Sequence, residues 1–126
     1  VYRVEGKVVH GNQIGRTLSM PTANIYPPED KLLPPNGVYV TKVETIYGEY
    51  KAITNIGIKP TVGGEVKPGI ESYLFDFDKD LYGTNIIVYF YTFERSEKKF
   101  NSLEELKKQM HRDKEFGKAY QCKRIV

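Results

Sequence analysis

Short runs rich in valine, isoleucine, tyrosine and phenylalanine alternate along this chain with clusters of glycine, proline and asparagine, the rhythm of an all-β sandwich or barrel. The pattern predicts strands over 2–10, 38–44, 50–56, 71–77 and 85–93. The run 86–91 is apolar at every position, so it is expected in a barrel wall that another element covers from outside. Proline lacks the amide donor that a central strand needs. The stretches Tyr26-Pro27-Pro28-Glu29-Asp30 and Leu33-Pro34-Pro35-Asn36-Gly37 therefore read as one long surface loop.

The covering element is a helix. Ser102-Leu103-Glu104-Glu105 has the form of a capping box, in which the Ser102 hydroxyl meets the Glu105 amide and the Glu105 carboxylate reaches back. Leu103, Leu106 and Met110 then recur at helical spacing and give the stripe expected to pack on the barrel. A second short helix is expected from about 113 to 121. No internal repeat or linker divides the chain, which reads as one domain over 1–126.

A single domain of 126 residues buries roughly two-thirds of the surface its unfolded chain exposes, enough for a core without staples. Its one cysteine, Cys122, cannot close an intrachain disulfide and reads as an ordinary thiol in a reducing compartment. No run approaches the roughly 18 apolar residues of a membrane span, and no secretory signal pattern opens the chain. A soluble, cytoplasmic protein is expected, with no membrane partner. The net charge of +3 suits an anionic ligand. Basic residues are scattered among acids, with modest clusters at Lys98-Lys99 and Lys107-Lys108, whereas a nucleic-acid binder more often carries a dense basic stripe.

Two neighbouring stretches could carry chemistry. Gly11-Asn12-Gln13-Ile14-Gly15-Arg16 can turn backbone amides toward a phosphate at Gly11 and Gly15, while Arg16 adds a permanent charge with forked donors. It is not a Walker A sequence. Pro21-Thr22-Ala23-Asn24 follows closely, and in an extended segment Thr22 and Asn24 present a hydroxyl and an amide carbonyl to one point. Magnesium keeps several waters and completes its shell with substrate phosphates, so two neutral oxygens beside a nucleotide suffice. On spacing alone the plainer readings, a strand-to-strand turn with a solvated arginine and a proline-opened turn, outweigh the functional ones.

Alternation over 71–77 puts Glu71 on one face with Tyr73, Phe75 and Phe77. Desolvation on an aromatic face raises a carboxylate's pKa and fits it for general-base work; at the strand's first residue Glu71 could equally reach water. His10 and His111 are too isolated for a zinc site or a catalytic triad. Asp76, Asp78 and Asp80 lack the glycine and distal glutamate of a calcium loop and read as a solvated turn.

Gly6-Lys7-Val8-Val9-His10-Gly11, Gly15-Arg16 and Pro21-Thr22-Ala23-Asn24-Ile25 resemble the opening of the riboflavin kinase family, including the kinase module of bacterial bifunctional FAD synthetases. The likeness continues in order through Gly37-Val38-Tyr39, Asn55-Ile56-Gly57 with Pro60-Thr61, Glu71, Asp80-Leu81-Tyr82-Gly83, Phe93-Glu94-Arg95 and Lys99-Phe100-Asn101-Ser102-Leu103. Pattern and resemblance together imply a mostly β fold, a single antiparallel, Greek-key-like barrel, closed or nearly so, with the C-terminal helix packed across it.

The resemblance further implies transfer of the ATP γ-phosphoryl group to the ribityl 5′-hydroxyl of riboflavin, giving FMN and ADP. Gly11, Gly15 and Arg16 would hold the phosphates, Thr22 and Asn24 the nucleotide's Mg2+, and Glu71 would be the catalytic base. Asp113 would lie near the flavin at the start of the second helical segment, or serve there as an N-cap. One departure stands out: the family's usual Glu-Thr-His is Glu71-Ser72-Tyr73 here. Because the chain starts at Val1, not methionine, it is expected to be cut from a longer polypeptide, with an N-terminal FMN adenylyltransferase domain before it. The alternative is a non-catalytic small barrel that binds nucleic acid or another anionic partner, which gives no reason for Pro21–Asn24 or for Glu71; a third reading is a regulatory module that kept the fold and lost the activity.

Overall fold

Each β-rich run pairs with a neighbour that covers its backbone donors, and the sheet that results sets the shape of the molecule. The computed structural model describes residues 2–10, 22–60, 64 and 66–120. Six strands and one helix lie among them: β1 (Tyr2–Lys7), β2 (Ala23–Ile25), β3 (Gly37–Thr45), β4 (Gly48–Pro60), β5 (Val66–Leu74), β6 (Asn85–Arg95) and α1 (Leu103–Ala119). Their spatial order is β1-β6-β3-β4-β5-β2, every pair antiparallel. Strands β3, β4 and β5 form a meander and β6 returns beside β3, which is a Greek key.

The sheet curls until its two edges meet. Beyond β1, Val9 bridges Asn24 of β2, its amide donating to the Asn24 carbonyl at 2.8 Å. This is a nearly closed barrel. Inward residues of all six strands, among them Val4, Ile25, Val43, Ile56, Ile70 and Val88, fill it. A second, smaller cluster of Val38, Val40, Ile53 and Phe75 lies outside the barrel wall.

Helix α1 covers that outer cluster, but with a different face from the expected one. Leu103 is 53% exposed and Leu106 and Met110 are only half-buried, while the buried residues are Gln109, Asp113 and Gly117. The physical reason is close approach. At Gly117 a β-carbon would fall 2.8 Å from Ile53 Cδ1 and 2.9 Å from Phe75 Cζ, so only glycine lets the helix backbone come down on the wall. One turn away, Asp113 is held by Arg95 of β6. Lys51 of β4 donates to the carbonyls of Lys118 and Tyr120, placing a cation at the negative end of the helix. The helix therefore lies chiefly over β4, and outward Ile87, Tyr89 and Tyr91 of the 86–91 run stay half-exposed.

The N-terminus of α1 is capped nearly as its sequence predicts. Ser102 Oγ accepts from the Glu105 amide at 3.2 Å, while the Glu105 carboxylate accepts from the Asn101 amide at 3.1 Å, one residue earlier than in a standard box. The helix runs unbroken through 113, so there is no separate second helix starting there. No helix among the described residues is long and apolar enough to cross a membrane.

Candidate active site

Strands β2, β5 and β4 lie side by side, and their register sets Asn24 opposite Glu71 and Glu71 opposite Asn55. Directly paired residues share a face, so these three side chains form a row on the outer surface of the barrel wall. Thr22, two residues before Asn24, points the same way, and its hydroxyl donates to Glu71 Oε2 at 2.7 Å. The tetrapeptide and the carboxylate, far apart in sequence, thus meet in one half-buried polar group.

The neighbours of Glu71 fix its position. Ser72 points into the barrel, fully buried, where its hydroxyl shares a 2.7 Å hydrogen bond with Thr54, and Thr54 shares another of 2.7 Å with Thr41. This chain of hydroxyls joins β5, β4 and β3 directly behind the carboxylate. The hydroxyl at 72 therefore serves the wall. Tyr73, where the family usually has histidine, shares the outward face with Glu71; its ring meets Phe75 edge-on at 5.8 Å, with the Lys114 ammonium 5.8 Å above it.

Contrary to the alternation expected over 71–77, Phe77 does not share that face. Strand β5 ends at Leu74 and Asp76 adopts a left-handed φ of 54°, which breaks the alternation. Phe77 consequently packs with the barrel interior, 4.7 Å from the Tyr50 ring. Asp80 closes an Asx turn, its carboxylate accepting from the Tyr82 amide at 2.9 Å.

Beside Thr22 and Asn24 opens a recess of about 200 Å³, lined also by Val9, His10, Asp78, Lys79 and Tyr82. The His10 and Tyr82 rings stack in it, 3.8 Å apart and 14° from parallel. Gly11, Gly15 and Arg16 lie outside the described residues. The described residues that flank them, His10 and Thr22, both line the recess.

Asp113 is elsewhere. It sits inside α1, 3% exposed, and is neither an N-cap nor a helix start. Arg95 grips it with two hydrogen bonds, Nε to Oδ1 at 2.9 Å and Nη2 to Oδ2 at 2.6 Å, and Gln109 Nε2 donates to Oδ1 at 3.0 Å. Arg95 belongs to the same cross-strand row as Glu71, through Val38 and Asn55, but three strand spacings away, about 14 Å along the sheet. Burial alone would raise the Asp113 carboxyl; the hydrogen bonds from Arg95, Glu94 and Gln109, with the Arg95 charge, outweigh it and hold the group below the usual carboxylate range. Burial, reinforced by the hydrogen bond and charge of Asp113 and opposed by Arg95, pushes Glu94 up to about 8.

A family model described as riboflavin kinase (flavokinase) matches residues 1–121. The chain belongs to the riboflavin kinase family. It is 41% identical over 121 residues to a Bacillus subtilis bifunctional riboflavin kinase/FMN adenylyltransferase, an alignment covering 94% of this chain and 38% of that protein. The Haemophilus influenzae protein of the same name is 41% identical over 120 residues, with the same two coverages. The chain thus spans somewhat over a third of the length of these relatives. Among solved structures, a macrolide-efflux protein from Streptococcus pneumoniae matches with a TM-score of 0.85 at 35% identity, over 94% of this chain and 39% of that one. A riboflavin kinase from Trypanosoma brucei matches with a TM-score of 0.65 at 27% identity, over 92% and 76%.

Within this riboflavin kinase family chain, sequence reasoning missed the part of the 78–82 loop in the recess and the place of Asn55 next to Glu71. Both stretches belong to the family pattern. What periodicity could not show is that β5 lies between β4 and β2 and pairs with both, and that the loop before β6 meets β2 at the recess.

Proposed function

We propose that this chain is a riboflavin kinase unit that transfers the γ-phosphoryl group of ATP to the ribityl 5′-hydroxyl of riboflavin, releasing FMN and ADP. The observation that carries the reading is the 2.7 Å hydrogen bond from Thr22 to Glu71, with Asn24 opposite Glu71 and with Thr22 and Asn24 also lining a recess. A hydroxyl, an amide carbonyl and a carboxylate are the hard oxygen donors that Mg2+ prefers, so the residues present fit the ion. Thr22 and Asn24 would hold it, and bound there it would neutralise phosphate charge.

The chain's own groups do the rest. Gly11, Gly15 and Arg16 hold the phosphates, and the stacked His10–Tyr82 pair at the recess suits the flat base of the nucleotide. Glu71 takes the proton of the ribityl hydroxyl as its oxygen bonds to the γ-phosphorus, the bond to the β–γ bridging oxygen breaks, and ADP leaves. Asp113 supports the flavin side indirectly, as the anchor of α1, because both its oxygens are taken by Arg95 and Gln109. The two-part names and greater length of the bacterial relatives support an FMN adenylyltransferase domain joined to this unit in the native polypeptide, a cytoplasmic enzyme.

Incubation with riboflavin, ATP and Mg2+, followed by chromatography of the flavins, tests the reading. FMN and ADP are expected in equal amounts, with no FAD from this chain alone. Absence of FMN, together with salt-dependent binding to an oligonucleotide, would favour an anion-binding barrel instead.

A further inference from the structure

Because α1 lies chiefly over β4, the outward side of β6 keeps Ile87 and Tyr89 half-exposed at the centre of a face made with β1 and β3. Register arranges the charges of that face in rows. Tyr89 stands between Arg3 of β1 and Lys42 of β3; one row on, Ile87 stands between Glu5 and Glu44. Strand β4 extends both rows, with Lys51 opposite Lys42 and Glu49 opposite Glu44. Like charges set directly opposite each other destabilise a sheet. Lys42 reaches diagonally to Glu49 at 3.5 Å and Lys51 is tied to the end of α1, whereas Arg3 and Glu5 stand exposed on the outer strand. A basic row and an acidic row thus run side by side across the strands, about 6.7 Å apart, with an apolar residue at the centre of each.

We propose that this face joins two copies of the chain, packed sheet on sheet about a two-fold axis that lies between the sheets and runs across the strands. Passing midway between the two rows, such an axis reverses their order in the second copy. Arg3 then faces Glu5 of the other copy and Lys42 faces its Glu44, while Tyr89 packs on Ile87; each contact occurs twice. An axis along the strands would set every row against itself, so the charges select one orientation. The inference rests on this face alone and stands whether or not the chain makes FMN.

Sedimentation velocity tests it. A face of three strands lies at the small end of the interface range, so the wild-type chain should form a transient dimer with a Kd on the order of 10–100 µM, weakened about tenfold or more in about 1 M salt. Arg3→Glu with Lys42→Glu makes both rows acidic, and Glu5→Lys with Glu44→Lys makes both basic. Each variant alone is expected to be monomeric, and an equimolar mixture of the two to form a one-to-one heterodimer tighter than the wild-type homodimer. Arg3→Glu and Glu5→Lys singly, at exposed positions, carry the same comparison should a double variant fail to fold. A wild-type chain that stays monomeric up to about 1 mM would overturn the inference and leave the face to the rest of a longer polypeptide. A dimer indifferent to both charge reversals, or a mixture no more associated than its components, would overturn it as well.

Discussion

Replacing Asp113 by asparagine removes the charge around which Arg95 is folded. The asparagine keeps the shape and one oxygen, but its amide nitrogen cannot accept from the guanidinium, so one of the two Arg95 hydrogen bonds is lost and a cation whose side chain is 17% exposed is left without its counter-charge. Removing one partner of a buried pair costs about 3–5 kcal/mol. Glu94 changes that expectation. Burial, then the hydrogen bond and charge of Asp113, push it up to about 8 against the pull of Arg95. Without the Asp113 charge, two of the three raising influences weaken while Arg95 remains. Glu94 then ionises at neutral pH and takes over as counter-ion. Asp113→Asn alone should therefore cost less than the full amount, about 2 kcal/mol, and Glu94→Gln alone at most about 1 kcal/mol, because that carboxyl is neutral at pH 7. The double variant should lose the upper part of that range, about 4–5 kcal/mol, a coupling of about 1–2 kcal/mol in a double-mutant cycle. Urea unfolding at pH 7 with linear extrapolation measures all four corners. Losses that add to within about 0.5 kcal/mol would refute the idea that Glu94 substitutes for Asp113.

The same carboxyl makes stability depend on pH: the folded chain keeps the Glu94 proton up to about 8 whereas the unfolded chain releases it near 4.5, so stability should fall as pH rises between those values, and a Tm series on Glu94→Gln should be flatter there. An equally steep Tm series in that variant would assign the slope to other groups. Glu71→Gln should lower kcat about 10²–10⁴-fold, towards the low end if proton transfer comes late, with ATP and riboflavin still bound; turnover within about twofold of wild type would remove Glu71 from the mechanism. Asn24→Ala should raise the Mg2+ concentration needed for half-maximal turnover while leaving the urea midpoint near wild type, and an unchanged magnesium titration would cancel its assignment as a ligand.

How far the sequence could be read depended on how local the cause was. Strands β3, β4 and β6 were legible because each is a long β-rich run bounded by turns, and the cap at Ser102 because its partners lie within four residues. The short β2 was not: Ala23–Ile25 has no apolar run of its own and is a strand only because β5 and Val9 pair with it. Strand β5 was placed too late: the expected strand began at Glu71, whereas the observed one begins at Val66 and contains Pro68. Pro68 is tolerated because β2 pairs only with residues 70–72, so that among the described residues no strand pairs with the proline's outer flank. The seat of α1 was misread because pattern analysis weights apolar side chains, whereas this helix docks through an ion pair and a glycine. Thr22, Asn24 and Glu71 could be nominated by type, but that the first and last touch depends on a pairing 49 residues long.

The two sides of this site are held with different firmness, and that difference bears on how it could work. Glu71 stands on the middle of the β4–β5 pairing, with the buried hydroxyls of Ser72, Thr54 and Thr41 cross-linking three strands behind it. Opening that layer would leave fully buried hydroxyls without partners, at about 1–3 kcal/mol each, so the base is fixed in place. Thr22 and Asn24 sit instead at a sheet edge, held by the three residue pairs of β2, the Val9 bridge and the Thr22 hydrogen bond. Phosphoryl transfer depends on bringing two substrates to a fixed geometry, and strain is tolerated best on the side with fewer bonds to lose. Adjustment on nucleotide binding therefore belongs to β2 and the Val9 bridge, while β4 and β5 keep Glu71 where it is. Hydrogen exchange on the chain with and without Mg2+-ATP should show the protection change at Val9 and residues 23–25, with the amides of 52–56 unaltered; a change spread evenly over both would mean that the wall behind Glu71 is not the fixed side.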